Sequence, residues 1–390
     1  MPEKSTYTKM STLGNVATYI NGRAFKPSEW ETEGLPIIRI QNLTNPSAPY
    51  NFSSKLLEEK YRVKQGDLLF AWSASLGAHI WTGHDAWLNQ HIFRVIPSEQ
   101  VKKKYLYYFL LQVVAELYAK THGSGMVHIT KAPFMNTPIP VPALNEQERI
   151  VSKIEELFSR LDASVAELQT AKEKLKVYRQ AVLKEAFDSV QANSKRVTIK
   201  SVCETIKVGI VIKPTQYYVE QGGVFAFRNA NVRRNYIEDK DWAMISQEGH
   251  QKNLKSQVHI GDVLIARSGV NLGMAATVPQ KYDGYNAIDV VIAVPKKEFI
   301  LSQYLAQYTN SPYGLEIVRK NQHGAAQGHL NVKEYGNLPI FLPNIPEQYS
   351  LLKKIESRLS VCDNIEQTID TSLQQAEALR QSILKQAFEG

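Results

Sequence analysis

The side chains able to do chemistry in this sequence are of two kinds, and the first kind does not assemble. The nine histidines include two pairs six positions apart, His122/His128 and His323/His329. Histidines sharing a metal from one helix sit about four apart, and no carboxylate or thiolate stands ready to complete either set. These pairs read instead as hydrogen-bonding or phosphate-contacting groups. The triplets Glu58-Glu59-Lys60 and Glu238-Asp239-Lys240 lack the upstream acidic residue on a paired strand that a nuclease core needs. No Gly-x-x-x-x-Gly-Lys-Ser/Thr loop occurs, and the nearest glycine run, Ser268–Gly273, has no lysine. The reading is therefore of a chain with no catalytic residues, no metal site and no cofactor.

The second kind is a set of amide, guanidinium and aromatic groups that recurs. The first half of the chain offers Arg39, Gln41, Asn42, Trp72, Ser73 and His91, and the second offers Arg228, Asn229, Asn231, Arg233, Arg234, Arg267 and Ser268. Arg, Asn and Gln carry the donor and acceptor pairs that match guanine and adenine edges in a major groove. The loops 122–128 (HGSGMVH) and 323–329 (HGAAQGH) add Ser124, His128, Gln327 and His329, with glycines that let backbone approach a phosphate closely. Lys102–Lys104, Lys296-Lys297 and Arg319-Lys320 could neutralise phosphates. A formal charge of +8 over 390 residues leans the same way. Each group alone is equally a solvated or ion-paired side chain; it is the recurrence that favours nucleic acid.

These residues sit in a repeated framework. The run 122–187 aligns with 323–388 without a gap, a period of 201 residues, with 21 of 66 positions identical. Upstream the match is looser: Gly66–Ser73 resembles Gly261–Ser268, and Ile38-Arg39 with Asn42 resembles Phe227-Arg228 with Asn231. The chain is two copies of one unit, each a variable globular part with a constant tail. That organisation suits one binding task done twice with two specificities.

The tails predict long helices. Asn145 is placed to cap the first, and Glu146–Phe187 alone would span about 63 Å. Apolar residues recur at heptad spacing through Ile150, Ile154, Leu157, Leu161, Leu168, Ala171, Leu175, Tyr178 and Val182. In the second tail they are Leu351, Ile355, Cys362, Ile365, Ile369, Ala376, Leu379 and Ile383. That is a coiled-coil seam, although two amphipathic helices each packed on its own globular part would show a similar stripe. Runs 37–43, 66–72, 91–97, 225–232, 262–268 and 289–295 read as strands, and 101–120 and 298–320 as helical. The fold class is α+β: two mixed α/β heads joined by two long antiparallel helices in a coiled coil, a pseudo-twofold internal repeat. The divisions are 1–142, 143–190, 191–343 and 344–390. Two distant cysteines, Cys203 and Cys362, no apolar leader and no run long enough to span a bilayer point to a soluble, cytoplasmic protein without a membrane partner.

Taken together, PIIRIQNL (36–43), GDLLFA (66–71), IPVP (139–142) and NEQERIV (145–151), with FRNANV (227–232), GDVLIA (261–266) and LPNIPEQ (342–348), resemble a Type I restriction–modification specificity subunit. The resemblance covers essentially the whole chain, and the repeated Pro-x-x-x-Glu-Gln before a heptad helix is its most specific part. It implies that each head is a target recognition domain reading one half of a split double-stranded DNA site. It also implies that the helices set the spacer and dock methyltransferase subunits, and that a translocating restriction subunit joins the complex. Methyl transfer would belong to the partner. The second tail departs mildly, with Tyr349-Ser350 for Glu148-Arg149 and Arg358 for Leu157; with Gly390 following the second tail, any closing segment would come from the N-terminus. Two other classes stay open on the residues alone: a non-catalytic coiled-coil adaptor for protein partners, and a DNA methyltransferase or nuclease with an unrecognised site.

Overall fold

The computed structural model describes residues 9–45, 47–120, 127–128, 131–321 and 329–389. It is an α+β protein that divides into two compact units, residues 1–168 with 370–390, and 169–369. The division runs through both long helices, so each unit holds one globular part and a portion of each helix.

In the first unit a four-stranded antiparallel sheet runs in the order Ala17–Asn21, Ile92–Pro97, Leu68–Ala71, Gly77–Ile80. A second sheet joins Asn51–Ser53, Leu35–Ile38, Ala86–Leu88 and Arg62–Val63, with 35–38 parallel to 86–88. The second unit repeats the plan. Its four strands are Cys203–Val208, Val290–Pro295, Val263–Ala266 and Ala275–Thr277. Its smaller sheet pairs Val224–Phe227 parallel with Asn286–Ala287 and antiparallel with Ala243–Ile245. The central strands, LLFA and VLIA, are buried throughout, which is why they read as unbroken apolar runs rather than alternating ones.

Three expected elements differ in detail. The run 37–43 is a strand only to Ile38, and Ile40–Thr44 turns into a short helix. The run 225–232 likewise ends its strand at Phe227. The segment 298–320 is two helices, Ser302–Asn310 and Pro312–Asn321, broken at Ser311. Pro312 has no N–H to continue the first helix but fits the first turn of the next.

The long helices are Leu144–Gln191 and Ile345–Glu389, the first about 72 Å in length. Asn145 does not cap: the helix starts one residue earlier, and the Ala143 carbonyl accepts from the N–H groups of Glu146 and Gln147. In the second helix Asn344 and Glu347 exchange side-chain to backbone bonds, 2.9 and 3.2 Å, a reciprocal cap. Within the second unit the helices run antiparallel, since Arg179 pairs with Asp363 (2.6 Å) and Glu366 (2.9 Å), while Glu185 pairs with Arg358 (2.7 Å). Arg358, the apparent break in the heptads, is thus a cross-helix ion pair whose guanidinium also lies 5.7 Å from the Tyr178 ring. Within the first unit Arg380 pairs with Asp162 and lies 4.5 Å over the Phe158 ring. The buried seam is thinner than the heptads suggest. Ile154, Leu175, Val182, Ile355, Cys362 and Ile369 are buried, but Tyr178, Ile365 and Leu379 are exposed. Among the described residues no helix is long and apolar enough to cross a membrane.

The Glu-Gln of the repeated motif has a specific duty. Gln147 is wholly buried; its Oε1 accepts from the Lys102 N–H (2.8 Å) and its Nε2 donates to the carbonyls of Gln100 and Pro142 (2.8 Å each). Gln348, 201 residues on and equally buried, accepts from Leu301 N–H (2.9 Å) and donates to Phe299 (2.8 Å) and Pro343 (2.9 Å). Both donors and the carbonyl oxygen of each amide are engaged in stitching a helix start to two loops of the globular part.

Replacing either glutamine by Ala would leave one N–H and two carbonyls unpaired, the carbonyl of the preceding proline in a buried place. Gln147→Ala and Gln348→Ala should each destabilise their own unit by about 3 kcal/mol, measured by denaturant unfolding. Burial also pushes the Cys203 thiol up to about 12, and Cys362 is buried as well. Neither should react with Ellman's reagent at pH 8 until the chain is unfolded.

Candidate nucleic-acid interface

Part of the candidate set, Trp72, Ser73 and His91 in one unit and Asn229, Arg267 and Ser268 in the other, gathers at one end of the four-stranded sheet. Ile92 pairs with Ala71, and Val290 with Ala266. The next residue along one strand and the preceding residue on the other therefore face each other beyond the pairing. In the first unit these are Trp72 and His91; in the second, Arg267 and Asp289. His91 and Asp289 both take left-handed backbone, φ 72° and 53°, at a cost of about 1–2 kcal/mol for a residue with a side chain. The same unusual conformation is thus kept in both units under two different side chains.

The chemistry at this place differs between the units. In the first, the Trp72 ring meets the His91 ring at 4.9 Å, and Trp72 Nε1 donates to Asn21 Oδ1 at 3.2 Å. In the second, Arg267 Nη1 donates to Asp289 Oδ1 at 3.0 Å. Ser268 Oγ accepts from Asn229 Nδ2 (2.8 Å) and lies 3.3 Å from Asp289 Oδ2, and Asn229 Oδ1 accepts from the Arg267 N–H (2.8 Å). Asn271, buried, donates to the Asn229 carbonyl (2.9 Å) and accepts from Arg233 Nη1 (2.5 Å). One unit carries a half-buried aromatic pair and the other a half-buried ionic network on the same frame.

The remaining candidates separate. Asn42 and Asn231, named above as base-reading candidates, lie in buried turns. Asn42 is 4 % exposed and Asn231 fully buried. Asn42 Oδ1 accepts from Arg39 N–H (3.0 Å) and its Nδ2 donates to the Ala48 and Pro49 carbonyls (3.2 and 3.3 Å). Asn231 repeats this with Arg228 N–H (2.9 Å), Glu238 (3.2 Å) and Lys240 (2.9 Å). The shared Arg-x-x-Asn pattern records a common turn. Ser73 is buried too, in a strand whose backbone pairs with His128. Arg39 lies 5.2 Å from the Trp30 ring, Arg228 Nη2 donates to the Asp241 carbonyl, and Gln41, Arg234 and His329 are exposed. Ser124 and Gln327 lie outside the described residues, and of His128 only the backbone is described. The flanks of both glycine–histidine loops nevertheless reach the site: His128 pairs with Ser73, and the Leu330 N–H donates to the Arg267 carbonyl at 2.9 Å.

Asp289, Asn271 and Asn21 escaped the sequence reading. Asp289 was recoverable from strand register, since it stands immediately before VVIAV as His91 stands before IFRVI. The described residues hold no group of three His, Cys, Asp or Glu able to bind a metal.

Residues 6–173 match the family model of the Type I restriction modification DNA specificity domain. Over 97% of its length the chain is 26% identical to the Type I restriction enzyme EcoBI specificity subunit of Escherichia coli, covering 85% of that protein. It is 23% identical over its whole length to the EcoKI specificity subunit of Escherichia coli strain K12, covering 89% of it. Its fold is shared with a chain of a solved type I R-M system (TM-score 0.67, 19% identity, 97% of both chains). It is shared also with the HsdS subunit of Thermoanaerobacter tengcongensis (TM-score 0.53, 19% identity, 100% of this chain and 98% of that one). Residues 6–173 are thus similar to a Type I DNA specificity domain, and the whole chain is similar in sequence to Type I specificity subunits.

The turn role of Asn42 separates from its exposed neighbour by mutation. Asn42→Ala should cost about 1–3 kcal/mol in denaturant unfolding because buried partners are orphaned. Gln41→Ala should cost under about 0.5 kcal/mol.

Proposed function

We propose that this chain reads a split double-stranded DNA site, one half per globular part, and that it carries no catalysis of its own. The observation that carries this reading is the matched frame with unmatched chemistry: Trp72–His91 in one unit and Arg267–Asp289 in the other, on strands of the same order. Two readers built alike but tipped differently are what a bipartite, asymmetric target requires. The +8 charge supports binding a polyanion.

The long helices act in this reading as an antiparallel coiled coil that sets the spacer between half-sites. The ion pairs support a pseudo-twofold relation. Arg179 and Asp363 in one unit correspond, at the 201-residue offset, to Arg380 and Asp162 in the other. Methyltransferase subunits dock on the helices and perform the methyl transfer, and the restriction subunit joins through the assembled complex. The buried, unpaired Cys203 and Cys362 suit the reducing cytoplasm in which such a complex works.

The test is a methylome. The chain is co-expressed with its neighbouring methyltransferase in a methylation-free host, and modified adenines are mapped by long-read sequencing. A two-part motif with a fixed gap, absent without this chain, is expected; a continuous motif, or methylation indifferent to the chain, refutes the reading. Inserting one heptad after Ala171 should lengthen the gap or abolish methylation, and an unchanged gap at full activity removes the spacer role.

A further inference from the structure

The ionic network of the second unit holds more than a fold contact, and this inference rests on the DNA-reading function proposed above. Arg267 stands at the strand end where the first unit presents Trp72. Asp289 takes one N–H of its guanidinium at 3.0 Å, and Asp289 is itself fixed by Ser268 Oγ (3.3 Å) and Asn229 Nδ2 (3.5 Å). An aspartate that grips one side of a guanidinium removes the side chain's rotational freedom and leaves the remaining donors aimed in one direction. Arg267 Nε is buried without a partner among the described residues, so its stem is seated in the protein, and the side chain keeps 18 % of its surface exposed. Backbone supports both members. The Arg267 N–H is held by Asn229 Oδ1 at 2.8 Å, and Asp289 keeps its left-handed φ of 53°.

The same loop carries a second feature. Gly269, at φ 72°, turns the chain, Asn271 anchors it below, and Val270 stands 95 % exposed at its tip. An oriented arginine beside an exposed aliphatic tip matches the major-groove face of a guanine and a neighbouring methyl-bearing base.

We propose that Arg267 is the guanine-reading residue of the second half-site, donating to guanine O6 and N7, and that Asp289 is its positioning residue. The first unit has no arginine at this place, so its half-site lacks this guanine contact.

The experiment uses the full chain in complex with its methyltransferase, comparing wild type, Arg267→Ala and Asp289→Asn by methylome. Alanine removes the guanidinium, whereas lysine could still donate to guanine O6 and N7. The wild type should show a guanine in one half of the motif that both variants cease to require, with at least ten-fold more methylation of sites bearing another base there. The other half should be unchanged. Duplexes carrying 7-deazaguanine at that position, which lack the N7 acceptor, should bind wild type ten-fold more weakly and Arg267→Ala no differently from guanine. Three results would overturn the assignment: no guanine in the half-site read by residues 191–343, a uniform fall in methylation with the motif intact, as a merely structural network would give, or indifference of the wild type to 7-deazaguanine. Absence of any split motif in the wild type would instead overturn the DNA-reading function, and this assignment with it.

Discussion

Two buried amides hold the architecture together. Gln147 and Gln348 each connect the start of a long helix to the turn before it and to the loop leading into a helix of the globular part. A buried amide that is fully bonded fixes direction as well as contact, because its donors and acceptor lie in one plane. A leucine of similar size could fill the volume but would not define the angle at which the helix leaves. A chain that carries a globular part on each such helix needs that angle defined, and the motif containing the glutamine is present in both halves.

Around those fixed points the two globular parts vary. What stays is backbone: strand order, the left-handed residue before the strands 92–97 and 290–295, the asparagine that ties the turn after the arginine both units share. What changes is the side chains at the sheet end. One frame thus carries two kinds of tip, although Trp72 also packs on the core beneath it, 5.8 Å from the Phe93 ring. The contrast between a Trp–His contact and an Arg–Asp pair on matched strands shows this at one place.

Much of this was legible in the sequence. The repeat appeared as identity at a constant offset, and the long helices as heptads free of internal proline. The buried strands showed as apolar runs between Gly-Asp and polar turns. Other features were not legible because they depend on partners distant in sequence. Asn42 and Asn231 look like base readers by residue type and are turn braces by contact. Tyr178, Ile365 and Leu379 fall on the heptad stripe yet are exposed, because two helices bury a narrower seam than the pattern permits. Arg358 looks like a defect and is a cross-helix ion pair. Asp289 has no local signature, and its importance arises only from the register that brings it to Arg267.

The units also differ in how the chain composes them. One is continuous, residues 169–369, while the other needs residues 1–168 together with 370–390. Chains emerge from the ribosome at about 5–20 residues per second, so the first-made globular part waits roughly 10–45 s for the segment that completes its core. During that interval the surface that Ile383 and Leu384 will cover stands open, while the later-made unit can already close. Order of synthesis and order of completion are therefore reversed, and the first globular part is the one that needs protection while it waits.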